Sequence, residues 1–285
     1  MTQNSSLAPL PTKWEKLLPI LALGTEGKKY SFNFEDLPLS TPKAVVTVLV
    51  VYLSLLAFLK FLRKGKKAMP LKGLAFVHNL VLAAGSALLL LALAMEVIPA
   101  WLNDGLFTSI CGTNIFNGRL EALYYINYLF KVWELFDTVL LVLKGHDLTF
   151  LHVYHHCLTF VLCYTQFVGQ STVQWVPITL NLIVHTFMYW YYAMASIGIQ
   201  CWWKKYLTTM QIIQFVLDIG FCYFCTAVLL LAENGTLPFG CHGTRIAAFF
   251  GSGLLTSYLY LFIDFFRKTY GPKSATPRHT KAKTD

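Results

Sequence analysis

The chain has 285 residues, of which 56% are hydrophobic and only 13% are charged. A water-soluble domain needs a larger polar share to cover its surface, so this composition excludes that class and indicates a membrane protein. The formal net charge of +9 does not require a nucleic-acid partner, because basic loops beside a bilayer face anionic lipid headgroups.

Seven long apolar runs follow one another along the chain. Each is close to the ~20 residues that a helix needs to cross a bilayer. We therefore predict an all-α membrane domain at residues 42–268, between an N-terminal segment (1–41) and a basic tail (269–285). The predicted spans are residues 42–62, 73–98, 120–143, 149–168, 173–198, 206–232 and 244–266.

Lysine and arginine are concentrated in the first, third and fifth loops and in the tail. Because such loops stay on the cytosolic side, we expect a lumenal N-terminus and a cytosolic C-terminus. The glycosylation sequons at Asn4 and Asn234 both fall on the predicted lumenal side. Cys111 and Cys241 also lie in lumenal loops, where an oxidising compartment permits a disulfide.

The chain ends in a short basic sequence in which Lys283 and Lys281 are the third and fifth residues from the end. This arrangement resembles the dilysine retrieval signal of endoplasmic reticulum membrane proteins. Together with the sequons and lumenal cysteines, it predicts an endoplasmic reticulum membrane protein.

The third apolar run carries a polar stripe. Two acids and a lysine at helical spacing can neutralise one another, which lowers the cost of burying them. The stripe therefore predicts either a functional site or an ion-pair network that only joins helices. Its members are Lys131, Glu134, Asp137 and Thr138.

The fourth run contains three histidines, His152, His155 and His156. On a helix these positions share one face, so the three imidazoles should form one cluster. Ionisable groups at membrane depth are costly and by default mark a functional site.

The fifth and sixth runs add further polar stripes. Stripes on four successive spans cannot all face lipid, so we expect them to converge on one interior cavity near the cytosolic side. The stripe of the fifth run is Asn181, His185, Met188, Tyr189 and Tyr192, and that of the sixth is Gln211, Gln214 and Asp218.

Three kinds of chemistry remain open for such a cavity. The first is a metal site. A di-iron site is disfavoured because it needs several histidine boxes and only one is present. A zinc site is also disfavoured, because the adjacent histidines of this one helix point about 100° apart. Metal-free acyl transfer and acid–base chemistry at imidazole is the second reading. A transporter or receptor with a histidine-lined ligand cavity is the third, and it explains the clustered histidines less well.

Four ordered motifs then resemble the ELO family of membrane fatty-acid elongases. They are KxxExxDT at residues 131–138, HxxHH at 152–156, NxxxHxxMYxYY at 181–192 and QxxQ at 211–214. The resemblance covers roughly residues 71–270, and stretches 163–166, 175–177 and 202–218 look especially like the fungal branch.

This resemblance implies a fold and a reaction. Helices two to seven would form a six-helix bundle around a narrow acyl tunnel. The reaction would condense an acyl-CoA with malonyl-CoA to give 3-ketoacyl-CoA, carbon dioxide and CoA, with no metal and no bound cofactor. We expect the ketoreductase, dehydratase and enoyl reductase of the elongation cycle as partners, and a homodimer is a further candidate assembly.

Roles for the residues follow from the same resemblance. We expect His155 to be the nucleophile that forms an acyl-imidazole, with His152 and His156 orienting it or moving protons and Glu134 or Asp137 fixing a tautomer. His185, Gln211 and Gln214 are candidates for stabilising the enolate or oxyanion. Lys131, Lys204, Lys205 and Arg267 are candidates for the CoA phosphates, and Thr138, Asn181, Tyr189 and Tyr192 for substrate binding. His152 at the first HxxHH position favours saturated or monounsaturated substrates.

Overall fold

The computed structural model describes residues 33–113, 115–116 and 118–271. Within these ranges the chain forms seven α-helices and two short 3-10 turns, and no β-strand. The all-helical class predicted from the sequence is confirmed. The helices are α1 (Pro42–Arg63), α2 (Lys72–Cys111), α3 (Gly118–Leu143), α4 (Phe150–Val168), α5 (Trp175–Ser196), α6 (Lys204–Glu233) and α7 (Arg245–Tyr270).

Four of these helices, α1, α2, α6 and α7, are long and apolar enough to cross a membrane by length and composition. The sequence analysis expected seven spans. The other three helices, α3–α5, contain many ionisable, amide and tyrosine side chains, which lower their mean hydropathy. The first sequon, at Asn4, and the tail lysines lie outside the described residues.

The helix ends follow local sequence signals. The hydroxyls of Thr41, Thr149 and Thr244 each accept a backbone N–H at the start of α1, α4 and α7. Helix α2 runs past its predicted end at residue 98 because Pro99 is accommodated within the helix, and the break falls instead at Gly105, where φ is 81°.

The last six helices contact one another in a closed cycle. Helix α2 packs against α5, α5 against α6, α6 against α7, α7 against α4, α4 against α3, and α3 against α2. Helix α1 lies outside this cycle against α3 and α4. One end carries the lysine-containing loops 64–71 and 144–149 and the start of α6, and we call it the basic end.

The opposite end is held together covalently, and we call it the disulfide end. Cys111, the last residue of α2, is bonded to Cys241, which precedes α7. The backbone N–H of His242 also donates to the carbonyl of Cys111 over 2.9 Å. Thr172, ahead of α5, donates to the carbonyl of Ile110 over 2.8 Å. This pair of cysteines is the one that the sequence places in lumenal loops.

Candidate active site

A cavity of about 420 Å³ lies among α2–α7 and reaches the start of α6 at the basic end. We call it the polar cavity. It is the place where the predicted stripes meet. Of the predicted site residues, its lining includes Glu134, Asp137, His152, His155, His156, Asn181, His185, Tyr189, Tyr192, Lys204, Gln211 and Gln214.

A second, narrow cavity of about 70 Å³ extends from the first towards the disulfide end. We call it the apolar cavity, since Leu162, Phe167, Ile178 and Leu255 contribute to its wall. Four residues line both cavities: His155, Asn181, Gln214 and Phe215. These four define the neck, where a molecule with a polar head and an apolar tail would change environment.

The three HxxHH histidines do form one cluster. The ring centroids of His152 and His156 are 4.3 Å apart, and those of His155 and His156 are 5.8 Å apart. The ring of His155 packs against Tyr258, with centroids 4.8 Å apart. Its Nδ1 is buried without a hydrogen-bond partner among the described residues. His155 therefore stands at the neck with a ring nitrogen uncommitted to protein.

His152 is held by a hydroxyl rather than by a carboxylate. The hydroxyl of Tyr52 donates to Oγ1 of Thr138 over 2.7 Å, and Oγ1 lies 3.0 Å from Nε2 of His152. Thr138 thereby links Tyr52 on α1 to the ring of His152, and the tautomer of the imidazole decides which of Thr138 and His152 donates across the second contact.

Glu134 joins a lysine and a histidine inside the bundle. Its Oε1 accepts from Nζ of Lys131 over 2.8 Å and from Nδ1 of His185 over 3.1 Å. Because a carboxylate only accepts, His185 carries its proton on Nδ1 and leaves Nε2 as the basic nitrogen. This tautomer suits His185 to acid–base work in the cavity.

Lys131 has a different position from the one expected of a phosphate ligand. It is buried, and besides Glu134 it donates to Oδ1 of Asn181 over 2.7 Å. It lines the apolar cavity and is absent from the lining of the polar one. The expectation that Lys131 binds a CoA phosphate is therefore revised: it balances Glu134 and orients Asn181.

Asp137 is committed to two other partners. Its Oδ1 lies 2.5 Å from Nε2 of His78, and its Oδ2 accepts from the hydroxyl of Tyr189 over 2.7 Å. The indole N–H of Trp133 donates to Nδ1 of His78 over 3.2 Å, which leaves the His78 proton on Nε2, facing Asp137. Neither Glu134 nor Asp137 hydrogen-bonds an HxxHH histidine within the described residues, contrary to the expected tautomer role.

The remaining candidates are divided between the cavity and the surface. Nε2 of Gln214 donates to Oδ2 of Asp218 over 3.1 Å, and Nε2 of Gln211 lies 3.5 Å from the sulfur of Met188. Lys204 lines the polar cavity. Lys205 instead lies over the ring of Phe266, and Arg267 is exposed outside the lining. Of the four cations proposed for phosphate, only Lys204 reaches the cavity.

In the described residues, one group of three metal-ligating side chains comes within coordinating distance, namely Cys111, Cys225 and Cys241. Two of these three are joined in the disulfide. The expectation of chemistry without a metal or bound cofactor stays a prediction.

Sequence reasoning missed two partners of the site. Tyr52 lies on α1, outside the closed cycle of helices, and Trp133 has half of its surface exposed. Each is an aromatic residue in an apolar run, and tyrosine and tryptophan in such runs usually lie at the lipid boundary. Only their position opposite Thr138 and His78 in the fold reveals their role.

A polar cavity joined at a histidine to an apolar one suits a molecule with a polar head and an apolar tail. The family model "ELO: GNS1/SUR4 family" matches residues 37–278, and the chain belongs to this family of multi-pass membrane fatty-acid elongases. It is thus related to condensing enzymes of fatty-acid elongation.

Individual relatives agree with this assignment. The chain is 40% identical over 268 residues to "Putative fatty acid elongase 1" of Schizosaccharomyces pombe, covering 93% of this chain and 80% of that protein. It is 36% identical to "Putative fatty acid elongase 2" of the same organism, with 94% and 74% covered. It is also 38% identical to "Fatty acid elongase A" of Dictyostelium discoideum, with 80% and 83% covered.

Proposed function

We propose that this protein condenses a long-chain acyl-CoA with malonyl-CoA, giving 3-ketoacyl-CoA, carbon dioxide and CoA. The observation that carries the proposal is the neck, where His155 lies between a polar cavity and an apolar one. An acyl-CoA has a charged head and an apolar tail that meet at the thioester. The neck would place that thioester beside the imidazole.

The first stage transfers the acyl group to His155. An unprotonated ring nitrogen attacks the thioester carbonyl, a C–N bond forms and the C–S bond breaks. The proton on the other ring nitrogen passes to the departing CoA sulfur through the polar groups of the cavity. CoA then leaves as a free thiol, and the acyl-imidazole remains with its chain in the apolar cavity.

The second stage forms the carbon–carbon bond. Malonyl-CoA loses carbon dioxide, and the electron pair of the broken bond becomes an enolate. The enolate carbon attacks the acyl carbonyl, the C–N bond breaks, and the imidazole regains a proton from solvent. The amide N–H₂ of Asn181 is our candidate donor to the negative oxygen of this stage, and His185 joins it only after its Nε2 has taken up a proton.

The amide of Asn181 has a defined orientation. A lysine ammonium can only donate, so the Asn181 atom that faces Lys131 is its carbonyl oxygen. The amide N–H₂ group is therefore left to donate elsewhere, and Asn181 itself lines the neck. Lys131, itself paired with Glu134, holds the Asn181 amide in this orientation.

The apolar cavity must widen to hold a long chain. At about 70 Å³ it is smaller than the roughly 300–1,000 Å³ of ordinary ligand pockets. We infer that the helices around it separate when the chain enters, within a six-helix bundle formed by α2–α7 in a seven-span protein. Saturated and monounsaturated chains are the preferred substrates in this proposal.

The cellular setting belongs to the same proposal. We place the protein in the endoplasmic reticulum membrane, with the basic end and tail in the cytosol and the disulfide end in the lumen. Acyl-CoA and malonyl-CoA then enter from the cytosol, Lys204 lies near the CoA entrance, and the three later enzymes of the cycle receive the product. Asn234, exposed after the end of α6, is a candidate glycosylation site, and the protein is a candidate homodimer.

Purified protein in detergent, supplied with radiolabelled malonyl-CoA and a panel of acyl-CoAs, tests the reaction. We expect labelled 3-ketoacyl-CoA with at least one long-chain substrate. No incorporation with any member of the panel would reject the proposal and favour a transporter or receptor. Intact-mass measurement with acyl-CoA alone tests the covalent stage. An active protein that never gains the acyl mass would show direct condensation, with a histidine acting only as base.

A further inference from the structure

The wall of the apolar cavity contains polar atoms that have no protein partner. The hydroxyl of Tyr124, Oδ1 of Asn127 and Oδ1 of Asp218 make no hydrogen bond to any described residue. All three residues line this cavity, and they are 2%, 2% and 0% exposed. The cavity expected to hold a hydrocarbon chain is therefore polar at defined points.

These unpaired polar atoms are concentrated in the wall of one cavity. Nearly all buried polar groups in proteins are hydrogen-bonded, and within a membrane no bulk water is present to bond an unpaired one. Seven buried side-chain atoms in the described residues lack a partner, and four of them line the apolar cavity, the fourth being Nδ1 of His155 at the neck. Such a cluster points to a ligand that brings its own hydrogen-bonding group.

The three atoms lie beyond the reacting thioester. Asp218 is one helical turn past the neck residue Gln214 on α6, about 6 Å along the helix. Asn127 donates through Nδ2 to the sulfur of Cys163 over 3.7 Å. Cys163 lies about 12 Å, or two turns, past His155 on α4. These side chains therefore face the middle of a bound acyl chain.

The chemistry of the three atoms favours a hydroxyl group. The Asn127 oxygen can only accept a hydrogen bond, whereas the Tyr124 hydroxyl can donate or accept. An alcohol donates one hydrogen bond and accepts two, so it can act as the partner of an acceptor such as the Asn127 oxygen or of a donor such as the Tyr124 hydroxyl. A ketone cannot donate to Asn127, and a charged group would be costly so far from water.

We propose that the apolar cavity is a specificity subsite for acyl chains that carry a hydroxyl group near mid-chain, bound by Asp218 and Asn127. This inference rests on the proposed condensation activity. In this subsite the alcohol recovers the hydrogen bonds that it loses on leaving water, while an unsubstituted chain leaves the polar atoms unpaired.

A competition assay tests the subsite. Purified protein receives malonyl-CoA and equal amounts of two acyl-CoAs of one length, one unsubstituted and one with a single hydroxyl, in a series that moves the hydroxyl carbon by carbon. Mass spectrometry measures both 3-keto products. We expect the hydroxylated product to be favoured about tenfold at one or two mid-chain positions and disfavoured near the chain end.

Variants assign the preference to the named side chains. Asn127→Leu and Asp218→Leu should each reduce the product ratio about tenfold, whereas Asp218→Asn, which keeps a hydrogen-bonding amide, should retain most of it. Leu255→Val changes an apolar part of the wall and should leave the ratio as in wild type. If Asp218→Leu does not fold, the product ratio of Asn127→Leu, which loses a hydrogen-bonding group, is compared with that of Asp218→Asn, which keeps one.

Two outcomes overturn the inference. Wild-type protein that favours the unsubstituted chain at every hydroxyl position has no such subsite. A preference that survives both leucine substitutions does not arise from these residues. Because the unsubstituted product is measured in every reaction, failure of the subsite is distinguished from failure of the condensation itself.

Discussion

The hydroxyl of Tyr52 lies 2.7 Å from Oγ1 of Thr138 and donates to it. Tyr52 is on α1, the helix outside the closed cycle, and Thr138 in turn faces Nε2 of His152 over 3.0 Å. A helix that forms no wall of the bundle thus orients a histidine of the candidate active site. If α1 packs less tightly, we expect both the catalytic rate and the stability of the fold to decrease.

Thr138→Val tests this connection. The change keeps the size of the side chain but removes the hydroxyl that faces both Tyr52 and His152. We expect the rate of 3-ketoacyl-CoA formation at saturating substrate to fall about tenfold, since one buried hydrogen bond has that value. Tyr52→Phe leaves the Thr138–His152 contact intact and should reduce the rate less. Equal effects of the two changes would contradict this order of contacts.

The Lys131–Glu134–His185 group makes separate predictions for stability and activity. Glu134→Leu leaves a buried ammonium without its partner and should lower the free energy of unfolding by about 3–5 kcal/mol. The double variant Lys131→Met with Glu134→Leu removes both charges and should regain most of that stability. Thermal unfolding of the detergent-solubilised protein measures both changes.

Activity should not recover in that double variant. His185 would have lost the acceptor that fixes its tautomer, and Asn181 the donor that orients its amide. A stable double variant with normal turnover would mean that the group serves only to join α3 and α5.

His155→Ala should abolish condensation while leaving the fold intact. The expected loss is about 10³-fold or more, because a nucleophile and its partners act as a unit. The acyl adduct seen by intact mass in wild type should disappear as well. Tyr258→Phe is the matched control, because it keeps the ring packed against the imidazole and removes only the hydroxyl that donates to the backbone carbonyl of His155. Retained turnover in His155→Ala would remove the nucleophile assignment.

The disulfide gives a fourth prediction. Replacing both Cys111 and Cys241 by serine removes a crosslink between residues 130 positions apart and should cost about 2–5 kcal/mol of stability. Both residues must be changed, because the sulfur of Cys225 lies 4.0 Å from that of Cys111 and would offer a new partner. Mass measurement after alkylation, with and without reductant, identifies the bonded pair. Two free thiols at these positions in purified wild type would refute the bond.

Much of this arrangement follows from periodicity in the sequence. Apolar runs gave the helices to within a few residues, except at Pro99, where α2 continues. Spacing of three and four residues placed His152 with His156, and Lys131 with Glu134, because side chains at these intervals share a helix face. Contacts within one helix can therefore be predicted from the sequence.

Contacts between helices could not be predicted from the sequence in the same way. The sequence does not specify that Glu134 meets His185, that Asp137 meets His78, or that Lys131 points away from the expected phosphates. These pairings depend on which helices are neighbours and how each is rotated. Tyr52 illustrates the point, since no spacing rule links a residue on α1 to one 86 positions later.

The disulfide end also limits how the protein can move. Beside the covalent bond, Thr244 donates through its backbone to Gly169 over 3.0 Å, and the indole of Trp175 donates to the carbonyl of Ser109 over 2.8 Å. The ends of α2, α4, α5 and α7 are thereby fixed to one another.

These contacts fix four of the six helices of the closed cycle at the disulfide end. In the proposed reaction we therefore expect the helices to separate at the basic end, beside Lys204, and we expect release of the elongated product to reverse the motion that admits the substrate.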